Sequence, residues 1–575
     1  MIAMTARIFA GRARAFLAGA LALLITTALA GAQEHKAAFA PHGMVASEEA
    51  RASEIGVEIL RQGGNAVDAA VAVGFALAVT LPESGNLGGG GFMVIRLASG
   101  SRPLAIDYRE TAPASATPTM FLNEKGEADP QKSRFSGLAI GVPGTVAGLA
   151  HAHRHYGSGK FTLAQLIAPA IPLARDGVEV TERLSGSLAR GQAMLVRHPS
   201  SAKIFFRPDG GVPKAGERLI QRDLAETLAA IVREGPAAFY EGPVADQIAA
   251  AVRSAGGHMT RQDLSSYQVR EREPVRGTYR GHEIISMPPP SSGGVHLVQM
   301  LNLLEGYDLR ALGQNSPDTL HFLVEAMKLA YADRSEFLGD PDFVKVPVKG
   351  ITSKRYADAL RKDIDRGRAR SAAEIKPGKA PAYESDFTTH YSVVDRDGNA
   401  VANTYTLNFF YGMGMVAEGT GVLLNNELDD FAAAAAVPNA YGLIGGDANA
   451  PGPRKRPLSS MTPTIVMKDG TPFLLTGGAG GSRIITAVLQ VVTNVIDFDM
   501  ELGAAVAAPR VHHQWLPDEL SAEPGIPVTA LDTLKERRHP VAEGRSGRSV
   551  NSIMAVPGGF AGVADPRSGG LAAGY

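Results

Sequence analysis

The pattern of hydrophobic and polar positions in the first part of the chain predicts two helices and a buried strand. Residues 48–61 and 66–79 have apolar side chains at helical spacing, and a Gly-Gly pair separates them. A glycine-rich loop at 86–91 then precedes the apolar run 92–96, which has the length of a buried strand. We interpret this loop as a turn that allows close backbone packing.

The rest of the pattern predicts strands near the middle of the fold and helices outside them. Residues 140–380 are predicted to be mostly helical with polar outer faces. Residues 362–385 are charged and poor in apolar side chains, which predicts an exposed, mobile segment. After Thr388 the pattern changes to strands and hairpins, followed by a helix at 483–496. The expected fold class is α/β, with α/β/β/α layers.

The strands on either side of an Asp-Gly-Asn turn signal predict a β-hairpin that begins at Thr388. In one register, Val394 pairs with Ala400 around a five-residue loop. Thr388 then lies opposite Thr406, which places a second hydroxyl on the same face. A two-residue turn would shift the register by one position and place Leu407 there instead. The sequence alone leaves both registers open.

Thr388 has the chemistry of a self-contained nucleophile if the bond from Phe387 to Thr388 is cut. The residue would then carry a hydroxyl and a free α-amine, and an adjacent base is one way to activate a threonine hydroxyl. An α-amine titrates at about 7.7–8.0, which suits a general base near neutral pH. A threonine at the start of a strand is otherwise an ordinary β-forming residue, so this interpretation needs support from other motifs.

A second glycine-rich loop, at 476–483, follows a predicted strand at 472–475 and opens the helix 483–496. Such a loop presents backbone N–H groups at a helix N-terminus, where they can hold an anion. A phosphate site, an oxyanion hole and a tight strand–helix turn are all open interpretations. The spacing matches neither a Walker loop, because no Gly-Lys-Ser/Thr follows, nor G-x-G-x-x-G.

Three carboxylates lie within four residues, at Glu427, Asp429 and Asp430. A metal site, a carboxylate pair that holds a substrate ammonium and a solvated acidic turn are the alternatives, although calcium loops need a longer alternation of ligands. Ser459 and Ser460 are either loop caps or hydroxyls that bind a carboxylate.

Composition and charge exclude several functional classes. The 575 residues contain no cysteine, which excludes disulfides, thiol catalysis and cysteine-ligated zinc. Lysine and arginine total 57 against 58 acidic residues, with only short basic runs, which argues against a nucleic-acid partner. No G-x-S-x-G motif occurs, so the α/β-hydrolase nucleophile elbow is excluded. We expect no metal and no cofactor.

The pattern of charged, apolar and small residues at 1–32 predicts an export signal. Arg7, Arg12 and Arg14 precede an apolar run at 16–29, and small residues suited to cleavage follow. No later apolar stretch approaches the ~20 residues that span a bilayer, so no membrane anchor is expected after signal removal. We expect a periplasmic protein, with secretion to the medium as the alternative.

Taken in order, these segments resemble the bacterial γ-glutamyltransferases (γ-glutamyltranspeptidases), which are N-terminal-nucleophile hydrolases. The resemblance rests on short motifs in a shared order and spacing, at 44–47, 64–70, 86–91, 288–294, 332–335, 388–395, 425–431, 457–461, 480–483 and 573–575. It implies a four-layer αββα sandwich built from two subunits. The precursor would cut itself between Phe387 and Thr388, and the large subunit, 33–387, and small subunit, 388–575, would stay together as a heterodimer.

The resemblance also implies roles for individual residues. Thr388 would be the nucleophile, and Thr406 would support its hydroxyl. The backbone amides of Gly480 and Gly481 would form the oxyanion hole. Tyr441 would belong to a lid loop over the bound glutamyl group. The substrate's α-carboxylate would be bound by Arg109, Ser459 and Ser460. Its α-amine would be bound by Asn408, Glu427 and Asp430.

The implied reaction is attack on glutathione or another γ-glutamyl amide to form a γ-glutamyl ester on Thr388. Water, an amino acid or a dipeptide would then accept the group. Three features depart from the bacterial pattern and could alter acceptor choice: bulky residues at 409–411, Glu427 where glutamine also occurs, and alanines at 432–436. The alternatives are an acylase of the same fold that removes glutaryl groups from β-lactam nuclei, and an inactive binding protein that keeps the fold.

Overall fold

Two seven-stranded antiparallel sheets form the centre of the computed structural model, which describes residues 35–375, 388–435, 437–544 and 549–575. The strands of the first sheet are, in spatial order, Ala38–Ala40, Gly559–Val563, Ser552–Val556, Thr471–Thr476, Thr464–Lys468, His282–Ser286 and Val275–Tyr279. The strands of the second sheet are, in spatial order, Leu571–Gly574, Met44–Ser47, Thr389–Val394, Ala400–Thr406, Gly90–Arg96, Leu104–Tyr108 and Arg270–Arg272. The strands of the three small sheets are Val178–Glu179 with Arg218–Leu219, Val416–Ala417 with Val422–Leu423, and Val511–His512 with Leu520–Ala522 and Val541–Glu543.

The α-helices of the described residues are Ala50–Arg61, Ala66–Thr80, Pro130–Phe135, Thr145–Tyr156, Leu163–Ile167, Ala170–Arg175, Glu182–Leu195, Pro199–Phe205, Arg222–Glu234, Ala237–Tyr240, Pro243–Ser254, Arg261–Ser265, Gly293–Leu304, Leu309–Leu312, Pro317–Phe337, Val348–Ile351, Lys354–Arg361, Arg483–Ile496, Leu502–Ala507 and Val528–Glu536. Short 3₁₀ helices lie at Gly137–Ala139, Ala372–Glu374, Glu427–Asp430 and Asp447–Asn449. Within this part of the chain, no helix is both long and apolar enough to span a bilayer.

Helices cover the outer face of each sheet. Ala66–Thr80 packs on the second sheet, and Gly293–Leu304 packs on the first. Ala66–Thr80 is buried on all sides because alanines and valines replace a polar face, and a capping box between Asn65 and Asp68 closes its N-terminus. The predicted α/β/β/α layering is confirmed, and residues 37–575 form one compact unit.

The hairpin that follows Thr388 has the five-residue loop. Val394 pairs with Ala400 and Thr389 pairs with Tyr405, so this register prediction is confirmed over the two-residue turn. Side chains alternate between the two faces of a strand. Tyr391 and Val393 pack against the helices, whereas Val394 packs in the core shared with the first sheet. Thr388 and its partner Thr406 are in phase with Val394, so their side chains are directed between the sheets.

Two sequence predictions for the middle of the chain are wrong in part. The helices Gly293–Leu304 and Pro317–Phe337 have no polar outer face along most of their length, because they lie inside the main core. Most residues of the charged segment that are described, 362–375, are exposed as expected, but the segment is anchored at its end, since the Trp515 indole N–H donates to the carbonyls of Ala372 and Ile375 at 3.1 Å. The export signal at 1–32, the rest of this charged segment, Phe387 and Ala436 lie outside the described residues.

Candidate functional site

Thr388 directly precedes the second sheet's third strand, Thr389–Val394, and is buried with 6% exposure. Its Oγ1 is 3.5 Å from the Oγ1 of Thr406, at the outer limit of hydrogen bonding. The Thr406 hydroxyl is itself held, because it accepts the backbone N–H of Asn408 at 2.9 Å. The strand pairing thus brings a fixed second hydroxyl to the candidate nucleophile.

The histidine nearest to Thr388 along the chain is not placed to act as its base. The His390 ring contacts the hydroxyls of Thr404 and Ser392, at 2.8 and 3.0 Å. Burial lowers the pKa of His390 to about 3, so the ring is neutral at physiological pH. Its ring also packs on the backbone at Gly477, where a Cβ would meet it at 2.4 Å.

The second glycine loop joins the strand Thr471–Thr476 to the helix Arg483–Ile496, close to the predicted boundaries. Gly480 and Gly481 adopt φ values of 132° and 53°, which other residues rarely adopt. Their carbonyls accept the N–H groups of Arg483 and Ile484. Their own N–H groups donate to no acceptor in the described part of the chain, so they are available to an oxyanion at the helix N-terminus.

One small cavity, of about 20 Å³, collects almost all of the predicted site residues. Gly481, Met461 and Ile484 contribute to its wall. The predicted residues that line it are Arg109, Thr388, Thr406, Asn408, Glu427, Asp430, Tyr441, Ser459, Ser460 and Gly481. This volume holds about one water molecule. A larger group therefore enters only if the side chains across the cavity separate.

The charged residues of the cavity pair with one another. Arg109 is fully buried, and its Nη2 lies 2.5 Å from Asp430 Oδ2 while its Nη1 contacts Glu427 Oε1. The predicted carboxylate-binding arginine and the predicted ammonium-binding acids thus neutralise each other. An unpaired buried charge costs several kcal/mol, which is the physical reason for this pairing.

The acidic segment is not the solvated turn that was one of its interpretations. Glu427 and Asp429 are 1% and 3% exposed. Asp429 is turned away from Arg109 and accepts the Ser133 hydroxyl at 2.6 Å and the Ala440 amide at 2.9 Å. Two carboxylates of the segment therefore face the cavity, and the third ties the segment to its neighbours.

Tyr441, which was predicted to belong to a lid loop, lines the cavity. The Tyr441 hydroxyl donates to the backbone carbonyl of Asn408 at 2.9 Å, and Tyr441's own carbonyl accepts from Gln514 at 2.9 Å. The neighbouring Asn439 amide donates to Asp430 Oδ1 at 3.1 Å. The segment around Tyr441 is thus bound directly to a carboxylate that pairs with Arg109.

A family comparison accounts for this combination of a strand-leading threonine, a glycine loop and an ion-paired cavity. The model of the gamma-glutamyltranspeptidase family matches residues 52–575. The chain belongs to the γ-glutamyltranspeptidase family.

Three known proteins show how far this similarity extends. The glutathione hydrolase proenzyme of Escherichia coli (strain K12) is 53% identical over 539 residues, which cover 93% of this chain and 92% of that protein. The crystal structure of Helicobacter pylori gamma-glutamyltranspeptidase is similar with a TM-score of 0.56 and 47% identity, over 57% of this chain and 93% of that one. The crystal structure of cephalosporin acylase from Bacillus halodurans is similar with a TM-score of 0.82 and 28% identity, over 94% of this chain and 97% of that one. The expected N-terminal-nucleophile hydrolase fold is confirmed.

Two buried charged residues of this γ-glutamyltranspeptidase-family site were missed by the sequence reasoning. The first is Arg334, whose guanidinium donates to the hydroxyls of Ser292 at 3.0 Å and Ser460 at 3.3 Å. Burial lowers the pKa of Arg334 to about 10, although Asp430 opposes the shift. Arg334 belongs to the motif at 332–335 that contributed to the resemblance, which was the one signal for it.

The second missed residue is Glu110, which is fully buried directly after Arg109. Its Oε2 is 3.9 Å from Arg109 Nη1, and neither carboxylate oxygen has a hydrogen-bond partner among the described residues. The Oε2 atom of Glu427 is also buried without a hydrogen-bond partner among the described residues. Burial raises the pKa of Glu110 to about 7 against the opposing effect of Arg109, and it also raises that of Glu427. The burial of these two carboxyl groups beside each other therefore favours the protonated form of Glu110 up to neutral pH.

We expect the stability effect of Glu110→Gln to depend on pH. The folded protein holds a proton on Glu110 up to about pH 7, whereas an unfolded glutamate loses it near 4.5. The stabilisation from this group is thus present below pH 4.5 and is lost as pH rises through 7. The apparent Tm of Glu110→Gln minus that of the parent should therefore increase by a few degrees from pH 5 to pH 8, as measured by thermal unfolding. Glu234→Gln, at an exposed position, is the control, and an equal difference at both pH values would contradict the raised pKa of Glu110.

Proposed function

We propose that this chain is a glutathione hydrolase and γ-glutamyltransferase. It transfers the γ-glutamyl group of glutathione and other γ-glutamyl amides to water, amino acids or dipeptides. The observation that carries the proposal is the small cavity in which Thr388 meets the buried Arg109 and the carboxylates of Glu427 and Asp430. The proenzyme of Escherichia coli, 53% identical, is named for glutathione hydrolysis.

The active form requires maturation. The chain is cut between Phe387 and Thr388 into subunits 33–387 and 388–575, which remain together as a heterodimer. The 1–32 segment directs export to the periplasm and is removed. The cut gives Thr388 an α-amine with a pKa of about 7.7–8.0, which serves as the base in place of His390, whose ring is bound to Thr404 and Ser392.

Catalysis begins when the Thr388 hydroxyl attacks the γ-carbonyl carbon and its proton passes to the α-amine. The developing oxyanion is stabilised by the N–H groups of Gly480 and Gly481. The amine then returns the proton to the leaving nitrogen, the C–N bond breaks, and a γ-glutamyl ester remains on Thr388. Water or an acceptor amine attacks this ester and restores the hydroxyl. Thr406 holds the nucleophile in position through its own hydroxyl.

Substrate binding replaces the internal ion pairs with pairs to the zwitterionic glutamyl head. Arg109, Ser459 and Ser460 bind the α-carboxylate, supported by Arg334 beside Ser460. Asn408, Glu427 and Asp430 bind the α-ammonium. Each buried charge keeps a partner of opposite sign throughout, which avoids the cost of an isolated charge. Tyr441 closes over the head, with its hydroxyl on Asn408.

Substrate choice tests this proposal. A γ-glutamyl anilide and a glutaryl anilide differ only in the α-ammonium. We expect kcat/KM to favour the γ-glutamyl anilide by at least about 100-fold, because the glutaryl group leaves buried carboxylates without a cationic partner. Thr388→Ala measures the background rate for both anilides. Equal turnover of both would support the glutaryl acylase instead.

A further inference from the structure

The strand Ala400–Thr406 ends at the residue whose hydroxyl lies beside the candidate nucleophile. Its pairing with the strand Thr389–Val394 stops at Tyr405, one residue before Thr406. On the side that faces Thr388, the hairpin therefore leaves the position of Thr406 to other contacts.

The side chain of Asn86, in the first glycine-rich loop, supplies such a contact. Its Nδ2 donates to the carbonyls of Thr406 and Ser84, both at 2.9 Å. Its Oδ1 accepts the Gly89 N–H at 2.9 Å and the Thr145 hydroxyl at 2.7 Å. A side-chain amide offers two donors and two acceptor positions, so all of them are used. Asn86 is 3% exposed, and these bonds hold its amide in one orientation.

The backbone of this loop packs directly against the end of the strand. A Cβ at Gly89 would lie 2.0 Å from the Thr406 carbonyl oxygen, so only glycine allows this approach. The Gly89 carbonyl accepts the N–H groups of Gly144 and Thr145 at 2.8 and 3.1 Å, which ties the loop to the helix that begins there. The close packing predicted for this loop is confirmed, and it brings the Asn86 amide within hydrogen-bond distance of Thr406.

The distance between the two threonine hydroxyls is sensitive to this contact. Thr406 Oγ1 is 3.5 Å from Thr388 Oγ1, so a small shift of the Thr406 backbone away from Thr388 would end their hydrogen bond. A displacement of about 1 Å in a reacting group can lower a rate about 100-fold. Asn86 is not among the residues that line the cavity, so it does not touch a bound glutamyl group. Its contact therefore acts on the rate of the reaction and not on substrate affinity.

We propose that Asn86 is a positioning residue for the nucleophile. Through the Thr406 carbonyl, its amide fixes the end of the strand at the place where the Thr406 hydroxyl meets Thr388. This inference rests on the proposed function, in which the Thr388 hydroxyl carries out both the cut and the attack on the γ-glutamyl group. Asn86 itself transfers no proton and binds no part of the substrate.

The test compares Asn86→Asp with Asn302→Asp in the mature enzyme, with a γ-glutamyl anilide as substrate. Asn86→Asp keeps the size of the side chain but places a carboxylate oxygen against two carbonyls. Asn302 is the matched control, because it is 1% exposed and its Nδ2 donates to the Thr352 carbonyl at 2.8 Å, outside the cavity. We expect Asn86→Asp to lower kcat at least about tenfold while KM changes less than about threefold. Asn302→Asp should lower Tm and keep kcat within about twofold of the parent.

Asn86→Ala is the second variant, since it removes the bond to Thr406 without placing a charge in the loop. It should lower kcat by a smaller factor at nearly constant KM, and it decides the question if Asn86→Asp does not fold. Denatured intact mass gives the mature fraction to which kcat is referred, and thermal unfolding shows whether each variant is folded. A folded Asn86→Asp chain that stays uncut would also support the proposal, because the cut uses the same hydroxyl.

Two outcomes would overturn the positioning role. One is an unchanged kcat in folded, mature Asn86→Asp. The other is an equal loss of kcat in Asn302→Asp, because the loss would then follow from the damage to any buried amide. A parent without anilide turnover would refute the proposed function instead, so the two failures are distinguishable.

Discussion

Replacement of Thr388 by alanine is expected to give a single uncut chain that does not turn over γ-glutamyl amides. The substitution removes the hydroxyl that we propose as the nucleophile toward both the Phe387–Thr388 bond and the substrate. The His390 ring, neutral and bound to Thr404 and Ser392, offers no substitute nucleophile or base. The loss of turnover should be at least about 10⁴-fold, as when a nucleophile is removed from other acyl-transfer enzymes. Denatured intact mass measures the cut, and release of aniline measures turnover.

Thr388→Ser is the matched control, because it keeps the hydroxyl and loses only the methyl group. We expect it to mature into two pieces and to retain measurable activity. The parent should give two masses, the smaller beginning at Thr388. A cut Thr388→Ala chain would refute the assignment of the nucleophile. An uncut parent would favour the inactive binding protein.

The second large effect is expected for Arg109→Ala, which should lower kcat/KM by at least about 100-fold while the chain still matures. Arg109 lies among three carboxylates, those of Glu110, Glu427 and Asp430. Its loss removes the proposed partner of the substrate's α-carboxylate and leaves these acids to repel that carboxylate. Removal of one partner from a buried charge pair typically costs about 3–5 kcal/mol. Steady-state kinetics with a γ-glutamyl anilide measure the loss, which should lie mainly in KM.

Two further variants distinguish a loss of substrate binding from a loss of folding stability. Arg109→Lys keeps the charge without the fork of hydrogen-bond donors, and it should recover only part of the loss. Arg280→Ala breaks an ion pair with the buried Asp497, outside the cavity, and should lower Tm with little change in kcat/KM. A loss below tenfold in Arg109→Ala would mean that another group binds the carboxylate.

The segments that carry the chemistry can be predicted from the sequence because each is local. The helix 483–496 follows from apolar spacing and a glycine loop, and its predicted bounds agree with Arg483–Ile496. The hairpin at Thr388 is also local, but its register is not, because both turns satisfy the same sequence. Packing decides it: the five-residue loop directs Thr388 and Thr406 between the sheets, and Thr406 pairs with Gly90 of the next strand.

The pairing inside the cavity cannot be predicted in this way. Arg109 is 318 positions from Glu427 and 321 from Asp430, so no spacing rule connects them. From the sequence alone, the three nearby acids Glu427, Asp429 and Asp430 indicate a solvated turn, since carboxylates are seldom buried unless they are paired. Burial of Glu427 follows only once a distant arginine supplies the opposite charge. Nothing in the sequence marks Glu110 except its position next to Arg109. Its raised pKa arises because it is buried near Arg109 together with the distant Glu427 and Asp430.

The order of strands has a consequence for the stability of the protein after the proposed cut between Phe387 and Thr388. In the first sheet, Ala38–Ala40 precedes the cut in sequence but lies beside Gly559–Val563, which follows it. In the second sheet, Met44–Ser47 lies between Leu571–Gly574 and Thr389–Val394, both from beyond the cut. Neither piece therefore possesses a complete sheet of its own. Before the cut, folding is a first-order process of one chain; afterwards, recovery from unfolding is a second-order encounter of two fragments. Dilution that leaves the uncut precursor unaffected would prevent the mature enzyme from reassembling.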